Sequence, residues 1–571
     1  MSTALPLFLD IPTPEEMARR DADAFRTFCQ PDSLLMENAG REAFALLRTL
    51  VPLATDTIKV LVLAGKGNNG GDGAVLARLL HDAGYQVLLY CLAPASAYKG
   101  AARLHVRIAR QCGVPILTST TAAFGSIASL PRLPRNFASP HIIVDALVGT
   151  GLRGELRPQI HSLVQAINQC SNTSYIFSLD IPSGLHGLEG KPMPVAVNAH
   201  ATISFEAGKP GLLVPEARQY TGPLYIRDIG MAKGVRPRVP ASWQLLAPTP
   251  GPCFIPRPGL HKGQAGKVLV IGGSEGMEGA AMLAAYGALR AGAGLVKVLG
   301  SETVAMTIRH ICPEIMTSAV GKDARWHSSM LAGLLPEIAS FAPAAIVLGP
   351  GMGATHETGA VVQALLALPG RCPFVVDADA LRYAHGPEAS ALRPGGTDLL
   401  QVADVLTPHP TELSRILPAS FFHRPDGDER ERTRQIQASR GTAALAFTSS
   451  SPATLVLKGA GTLVCQSGKA TALSPYAAPA LATAGSGDVL AGCIAAQIAK
   501  DSVRTKNQTA TSSFEAACLG VFAHAHAGYT LGSKNQRGFF AREIADSLPK
   551  TFAALCSKTP LPPLLPKDIY L

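Results

Sequence analysis

The 571-residue sequence lacks the patterns that stabilise small or metal-dependent proteins. Its 11 cysteines include no Cys-x-x-Cys pair, and none stands at ligand spacing from a histidine. This argues against a zinc site or a disulfide framework, so reduced thiols are expected. An uninterrupted apolar run of about 18 residues is also missing, which argues against a membrane-spanning helix.

Charge is sparse as well. Charged residues make up 16% of the chain and hydrophobic residues 47%, a composition typical of compact globular domains. The formal net charge is +10, but the basic residues are scattered without a long run or interleaved aromatics. Small anionic ligands are therefore a better expectation than nucleic acid or a membrane surface. Acidic residues near the N-terminus interrupt any signal-peptide core, so we expect a cytoplasmic protein.

The first half of the chain contains a strand followed by a glycine-rich loop. Residues 58–64 have a buried-strand pattern, residues 65–73 predict a loop, and a helix is expected through Leu80. Gly65, Gly67 and Gly70 match the dinucleotide fingerprint. That fingerprint also requires an acidic residue about 20 positions later. The next strand ends at Tyr90 without one, which weakens the hypothesis of an NAD-dependent dehydrogenase.

Two further strands of this half end at carboxylates. Residues 142–144 lead into Asp145, and residues 175–179 lead into Asp180 and Ser183. Because the carboxyl ends of parallel strands share one edge, Asn69, Asp145 and Ser183 could meet there. Their oxygens suit a hard monovalent or divalent cation, with Asp180 beside them as an acid or base. Each aspartate could equally be a helix N-cap.

The second half repeats this arrangement after a proline-dense segment at residues 231–259, which indicates a domain boundary. Strands again lead into glycine-rich or polar motifs, which predicts a second doubly wound sheet with a crevice at its carboxyl edge. Lys458 and the following turn could bind phosphates. His409 could be a donor to a substrate or a buried core histidine, while His524 and His526 are interpreted as structural.

A glycine motif near the end of this half is the strongest candidate for catalysis. Gly485, Ser486, Gly487 and Asp488 precede an apolar segment with helical spacing, residues 489–498. The N–H groups at such a helix start can hold a phosphate or developing anion. A carboxylate there would repel a bare phosphate, so Asp488 is better suited to handling a proton. The alternative is an ordinary capped helix.

The motifs of the first half, together with Lys209-Pro210-Gly211-Leu212, resemble the NAD(P)H-hydrate epimerase family over about residues 10–235. The resemblance implies a Rossmann-like α/β/α sandwich that interconverts R and S hydrates of NADH or NADPH. It implies a potassium ion at Asn69, Asp145 and Ser183, and Asp180 as proton handler. The implied substrate residues are Asn68, Asn69, Gly70, Gly71, Asp72, Gly149, Thr150, Gly151, Leu152, Arg153, Gly154, Glu155 and Asp180.

The second half resembles the ribokinase-like fold, and within it the ADP-dependent NAD(P)H-hydrate dehydratases. The matching motifs span about residues 255–550 and are His261-Lys262-Gly263, Val270–Ser274, Leu289–Gly294, Pro313-Glu314, Gly349-Pro350-Gly351, Thr407–Glu412, Lys458-Gly459-Ala460 and Gly485–Asp488. Ser486 stands where this family more often has threonine, and Thr411 where glycine is common.

This second resemblance implies that ADP phosphorylates the hydrate hydroxyl, with Asp488 activating that hydroxyl and magnesium accompanying the nucleotide. Loss of phosphate then restores NAD(P)H. The implied hydrate residues are Ala280, Gly351, His409 and Asp488, and the implied nucleotide residues are Lys458, Gly459, Ala460, Gly461, Thr462 and Gly487.

The whole sequence therefore predicts two doubly wound α/β domains, at residues 1–235 and 255–571, joined by a linker at 236–254. The expected protein is a bifunctional repair enzyme that binds NADHX or NADPHX and ADP, forms a homo-oligomer, and uses potassium and magnesium. A ribokinase-like small-molecule kinase fused to a ligand-binding module is the main alternative. An epimerase-like binding module from RNA-associated scaffolds is another, but it would be expected to have lost Asp145 or Asp180.

Overall fold

A computed structural model describes residues 8–52, 57–118, 134, 137, 139–152, 154–249, 261–322, 325–392, 399–424, 427–501, 512–533, 537–557 and 564–571. The N-terminal unit comprises Asp10–Gln244 with Leu565–Leu571, and the C-terminal unit comprises Leu245–Leu564 with the residues up to Leu9. This division lies inside the predicted linker, while the domain boundaries themselves stay a prediction. Among the described residues, no helix is long and apolar enough to span a membrane.

The N-terminal unit is built on an eight-stranded sheet in the order β19-β8-β7-β6-β5-β2-β3-β4, in which every described pair of neighbours is parallel. Its strands are β2 (Lys59–Ala64), β3 (Gln86–Cys91), β4 (Ile116–Thr118), β5 (Ile142–Ala146), β6 (Tyr175–Leu179), β7 (Ala201–Phe205), β8 (Leu224–Arg227) and β19 (Ile569–Tyr570). Its helices are α1 (Pro14–Phe28), α2 (Asp32–Leu50), α3 (Asn68–Asp82), α4 (Gly100–Gln111), α5 (Pro158–Gln169), α6 (Pro210–Leu213), α7 (Arg218–Thr221) and α8 (Val235–Arg238).

Both faces of this sheet are buried, as the continuous apolar strands predict. Alternate residues of β2 point to opposite faces. Val60 and Val62 belong to the core beneath α1 to α4, whereas Leu61 and Leu63 belong to the core beneath α5. The strand order reverses at β2, which lies between β5 and β3. Ligands of doubly wound proteins bind at such a reversal, beyond the carboxyl ends of the strands.

The C-terminal unit is built on an 11-stranded sheet in the order β1-β9-β18-β17-β16-β15-β14-β13-β10-β11-β12. Its strands are β1 (Phe8–Asp10), β9 (Trp243–Leu246), β10 (Lys267–Ile271), β11 (Leu295–Ser301), β12 (Met316–Gly321), β13 (Ala345–Leu348), β14 (Phe374–Val376), β15 (Val405–Leu406), β16 (Thr454–Leu457), β17 (Leu463–Cys465) and β18 (Thr471–Leu473). Its helices are α9 (Glu278–Arg290), α10 (Glu302–Ile311), α11 (Leu331–Phe341), α12 (His356–Leu366), α13 (Leu381–Ala384), α14 (Pro387–Leu392), α15 (Pro410–Ile416), α16 (Glu429–Ala438), α17 (Arg440–Thr448), α18 (Ser486–Asp501), α19 (Ser513–Gly532) and α20 (Ala541–Leu555).

The strands β10 to β16 form the parallel part of this sheet. Two doubly wound parallel α/β sheets were predicted, and this fold class is confirmed. The sequence interpretation missed the antiparallel strands β17 and β18, which follow β16. Each is only three residues long, too short to show a strand periodicity.

The chain's last residues pair with the N-terminal unit. In β19, Ile569 and Tyr570 align with Leu224 and Tyr225 of β8. The Leu224 N–H donates to the Asp568 carbonyl at 2.8 Å, and the rings of Tyr225 and Tyr570 stack with centroids 4.5 Å apart. The sheet of the N-terminal unit is therefore completed by a strand that follows the whole C-terminal unit in sequence.

We expect Tyr570→Ala to weaken this edge of the N-terminal unit, because a stacked aromatic pair contributes about 0.5–1.5 kcal/mol. Hydrogen exchange should become faster at Leu224, whose N–H bonds to the tail. The matched variant Tyr570→Phe keeps the ring and should exchange like the native protein. Unchanged exchange in Tyr570→Ala would show that the tail does not stabilise β8.

Candidate active sites

The cation-binding asparagine predicted in the N-terminal unit lies in a helix rather than a loop. The helix α3 already begins at Asn68, with Gly67 at its N-cap, so the predicted loop over residues 65–73 is wrong from residue 68 onward. The backbone can turn this tightly because Gly70 has no side chain: a Cβ there would lie 1.9 Å from the Gly65 carbonyl oxygen. Asn69 is buried, and among the described residues neither polar atom of its side chain has a hydrogen-bond partner.

Asp145 and Ser183, the other two predicted cation ligands, are in direct contact. The Ser183 hydroxyl donates to Asp145 Oδ1 at 2.5 Å, and the Ser183 N–H donates to Oδ2 at 2.8 Å. The Ser178 hydroxyl and the Leu147 N–H complete a shell of neutral donors around this fully buried carboxylate. Burial raises the pKa of Asp145, and these hydrogen bonds oppose the rise.

Gly149 lies where the predicted cation ligands and Asp180 come close together. A Cβ on Gly149 would lie 2.8 Å from Asp180 Oδ2 and 3.2 Å from the Asn69 Cβ. The Thr150 N–H donates to Asp180 Oδ2 at 3.0 Å, and the neighbouring Val148 N–H donates to the Ser183 hydroxyl at 2.9 Å. Asp180 itself has a φ of 64°, a left-handed conformation that is strained for a residue with a side chain.

Sequence reasoning missed the cationic partner of Asp180. Lys209, only 1% exposed, lies 2.8 Å from Asp180 Oδ1 and also donates to the Ser204 hydroxyl and the Phe205 carbonyl. Burial would raise the pKa of Asp180, but the Lys209 ammonium and the Thr150 N–H outweigh burial and lower it. Lys209 belongs to a motif quoted for the family resemblance, and its position after β7 could have placed it at this edge.

Two further carboxylates face this ion pair. Burial raises the pKa of Asp72 well above its ordinary value, and the negative charges of Asp180 and Asp21 add to the rise. Burial also raises the pKa of Asp21 to about 6, although Lys209 opposes the rise. The site therefore combines an anionic Asp180 with carboxyl groups that retain protons to higher pH, the division that acid–base chemistry requires.

The remaining predicted residues of this site differ in exposure. Gly70, Gly71 and Asp72 are buried in α3, and Thr150 and Leu152 are partly buried. Asn68, Gly151, Gly154 and Glu155 are exposed. Arg153 lies outside the described residues.

In the C-terminal unit, three neighbouring strands lead into one charged cluster. Lys458, after β16, lies 2.8 Å from Asp377 Oδ1, after β14, and 3.6 Å from Glu412 Oε2, after β15. A Cβ on Gly487 would lie 3.2 Å from Lys458 Nζ. The lysine ammonium is therefore held at the start of α18, where backbone N–H groups also point outward. From the sequence, Asp377 and Glu412 were each noted only as part of a polar motif that follows a strand, without a role of their own.

Asp488, in the first turn of α18, has the most perturbed carboxyl group of this cluster. Burial raises the pKa of Asp488 to about 8, and the charge of Asp377 adds to the rise while Lys458 opposes it. Glu412 and Asp379 contribute in the same direction as Asp377. A carboxyl group with this pKa changes protonation near physiological pH, as a general base should.

His409 is neither a core histidine nor a free side chain. Its side chain is 48% exposed, and its Nδ1 accepts the N–H groups of Thr411 and Glu412 at the start of α15. Burial of part of the ring lowers the pKa of His409 to about 4, with the Lys458 charge acting in the same direction. Because Nδ1 is an acceptor, the proton of the neutral ring is on Nε2, which lies 3.4 Å from Glu412 Oε1 and can donate to that carboxylate or to a ligand.

The other predicted residues of this crevice form two groups. Ala280 is partly exposed and lies near Gly351, where a Cβ would approach the Ala280 Cβ to 3.2 Å; the adjacent Ala281 is fully buried. In the turn after Lys458, Gly459 and Ala460 are exposed, Gly461 is buried, and the Thr462 hydroxyl donates to the Gly459 carbonyl at 3.0 Å.

Fold and site together define an α/β enzyme with a polar, charged cluster at the carboxyl edge of each parallel sheet, the place where doubly wound proteins bind nucleotides and other ligands. Residues 33–211 match the family described as YjeF-related protein N-terminus, and residues 268–550 match NAD(P)H-hydrate dehydratase. The chain belongs to the bifunctional NAD(P)H-hydrate repair enzymes, which combine an epimerase domain with an ADP-dependent dehydratase domain. The family and function predicted from the motifs are confirmed, and the alternatives are set aside.

Similar proteins span almost the whole chain. A bifunctional NAD(P)H-hydrate repair enzyme of Coxiella burnetii is 33% identical over 89% of this chain and 93% of that relative. The Escherichia coli enzyme of the same description is 32% identical over 90% and 88%. Among solved structures, a Bacillus subtilis ADP/ATP-dependent NAD(P)H-hydrate dehydratase co-crystallised with ATP/Mg²⁺ is 24% identical over 53% of this chain and 94% of that chain, with a TM-score of 0.40.

Proposed function

We propose that the crevice of the C-terminal unit transfers the β-phosphoryl group of ADP to the hydroxyl of S-NAD(P)HX. Asp488 accepts the hydroxyl proton as the oxygen attacks phosphorus, and AMP leaves. Lys458 and the N–H groups at the start of α18 stabilise the charge that develops on the transferred group. The single observation that carries this proposal is the position of Lys458 beside Gly487, one residue from Asp488.

Elimination follows in the same crevice. The C–O bond breaks, phosphate leaves with the bonding electrons, and the ring nitrogen supplies electrons before the neighbouring C–H proton is lost. Ala280, Gly351 and the Nε2–H of His409 would orient the hydrate, and residues 459–462 would hold the nucleotide. Magnesium would neutralise the phosphate charges of ADP. Among the described residues, no three His, Cys, Asp or Glu side chains form a metal cage, so we place this ion on the nucleotide.

We propose that the N-terminal unit interconverts the R and S hydrates, with Asp180 handling the proton. The substrate would lie along residues 68–72 and 149–155, beside Asp180. Asn69, Asp145 and Ser183 fit a potassium ion, because within the described part of the chain the buried Asn69 oxygen lacks a partner and Asp145 accepts only from neutral donors. Potassium would supply a positive charge that helps to fix these oxygens.

The test is incubation of the protein with a mixture of R- and S-NADHX, followed by the absorbance of NADH. With ADP and potassium, both epimers should be recovered as NADH. Without a nucleotide that donates a phosphoryl group, no NADH should form. Replacing potassium by a large organic cation should slow recovery of the R form alone. Phosphoryl transfer to an unrelated alcohol, without NADH formation, would contradict the proposal.

A further inference from the structure

A buried histidine behind the start of α18 has no part in the chemistry proposed above. His524, on α19, is 6% exposed, and its Nε2 lies 3.1 Å from the hydroxyl oxygen of Ser486. Ser486 is the first residue of α18 and is itself buried. The Ser486 hydroxyl is therefore hydrogen-bonded to α19, and Ser486 precedes Asp488 by two residues in the sequence.

Close helix contacts on either side of His524 hold α19 in place. A Cβ on Gly520, one turn earlier, would lie 2.7 Å from Ile494 Cγ1 of α18. A Cβ on Gly528, one turn later, would lie 2.3 Å from Leu481 Cδ2, ahead of the glycine motif. Contacts this close leave little room for α19 to shift. The ring of His524 is thus presented to Ser486 from a fixed position.

The ring of His524 is neutral, which allows Nε2 to be either donor or acceptor in this bond. Burial lowers the pKa of His524 to about 4, so the ring is uncharged at neutral pH. A neutral imidazole has one donor nitrogen and one acceptor nitrogen, so Nε2 can accept from a hydroxyl when Nδ1 carries the proton.

We infer that His524 is a positioning residue for dehydration, which fixes the first turn of α18 through Ser486 and so sets the place of Asp488. The inference rests on the proposed role of Asp488. It also explains why serine suffices at position 486, since either a serine or a threonine hydroxyl can make this bond. The first turn carries both the N–H groups and the carboxylate of the reaction, so a small shift should lower kcat more than it weakens ligand binding.

The test compares His524→Leu with His524→Gln in the full chain. Glutamine can place an oxygen near the position of Nε2, whereas leucine cannot. We expect His524→Leu to lower the kcat of S-NADHX dehydration about tenfold, the loss expected for a shift of Asp488 smaller than ~1 Å, because a shift of ~1 Å can cost about 100-fold. The KM values for ADP and hydrate should change much less than kcat, and His524→Gln should recover most of the rate. In a Ser486→Ala background, the leucine and glutamine variants should be equal.

His526 offers a matched control, because it is on the same helix and bonds to the Thr551 hydroxyl of α20 instead, at 3.0 Å. A loss in His526→Leu equal to that in His524→Leu, or a loss expressed only in KM, would overturn the inference. If His524→Leu does not fold, Ser486→Ala and Ser486→Thr decide: alanine should lower kcat and threonine should retain it. Dehydration that survives Asp488→Asn would instead contradict the proposed function, so the two failures are distinguishable.

Discussion

The variant Asp488→Asn should lose ADP-driven dehydration by about 10²- to 10⁴-fold, the usual contribution of a general base. Asparagine keeps the shape of the side chain but cannot accept the hydroxyl proton. The KM for ADP should change little, because Lys458 and the start of α18 remain in place. The measurement is NADH formation from S-NADHX, with epimerisation in the N-terminal unit as an internal reference.

A matched control is Asp428→Asn, at the exposed N-cap of α16, where asparagine caps a helix as well as aspartate. It should leave both activities unchanged. Dehydration by Asp488→Asn at the native rate would exclude Asp488 as the base and move that role to another carboxyl group of the cluster.

The pH dependence of dehydration and of stability gives a second test of Asp488, in which the native protein is compared with Asp488→Asn. Burial raises the pKa of Asp488 to about 8, so the kcat/KM of dehydration should rise as pH increases toward 8 and the carboxyl group loses its proton. The contribution of Asp488 to stability has the opposite sign: the folded state holds a proton that the unfolded chain releases near pH 4, so this contribution falls between about pH 4 and 8. Asp488→Asn should remove both dependences.

The site residues that could be predicted from the sequence are those at the ends of apolar strands. The motifs after β5, β6, β14, β15 and β16 were found because each follows an apolar run, and parallel sheets bring such ends together. Asp145 and Ser183 were placed together in this way and are in direct contact. The extent of α3 was not predicted, because the glycines at 70, 71 and 73 disfavour a helix unless tertiary contacts require the absence of a Cβ.

Contacts between side chains far apart in the sequence could not be predicted either. The position of Lys209 after β7 places it at the ligand-binding edge, but no local pattern indicates that its ammonium reaches Asp180, 29 residues earlier. The same holds for Asp377 beneath Lys458 and for His524 behind Ser486, which are 81 and 38 residues from their partners. Periodicity identifies elements, but which buried charges face each other is decided by packing between elements. The strand β19 was missed for the same reason, since two residues after a proline-rich segment carry no periodic signal.

The variant Asp180→Asn should lose epimerisation by about 10²- to 10⁴-fold, on the same general-base reasoning. With ADP and a mixture of epimers, NADH should form from the S hydrate at the native rate, and the R hydrate should remain. The matched control is Asp228→Asn in the same unit, an exposed aspartate that accepts the Gly230 N–H. It should convert both epimers.

Removing one partner of a buried ion pair usually lowers the free energy of unfolding by about 3–5 kcal/mol. We expect Asp180→Asn to lower it by less. Lys209 would still face Asp72 and Asp21, whose pKa values are raised partly by the charge of Asp180. Once that charge is removed, one of them can ionise and balance the lysine. Thermal unfolding at pH 5 and pH 8 tests this, because the replacement carboxylate should form more completely at pH 8. A loss of stability independent of pH would show that neither aspartate compensates, and full conversion of the R hydrate by Asp180→Asn would exclude Asp180 as the proton handler.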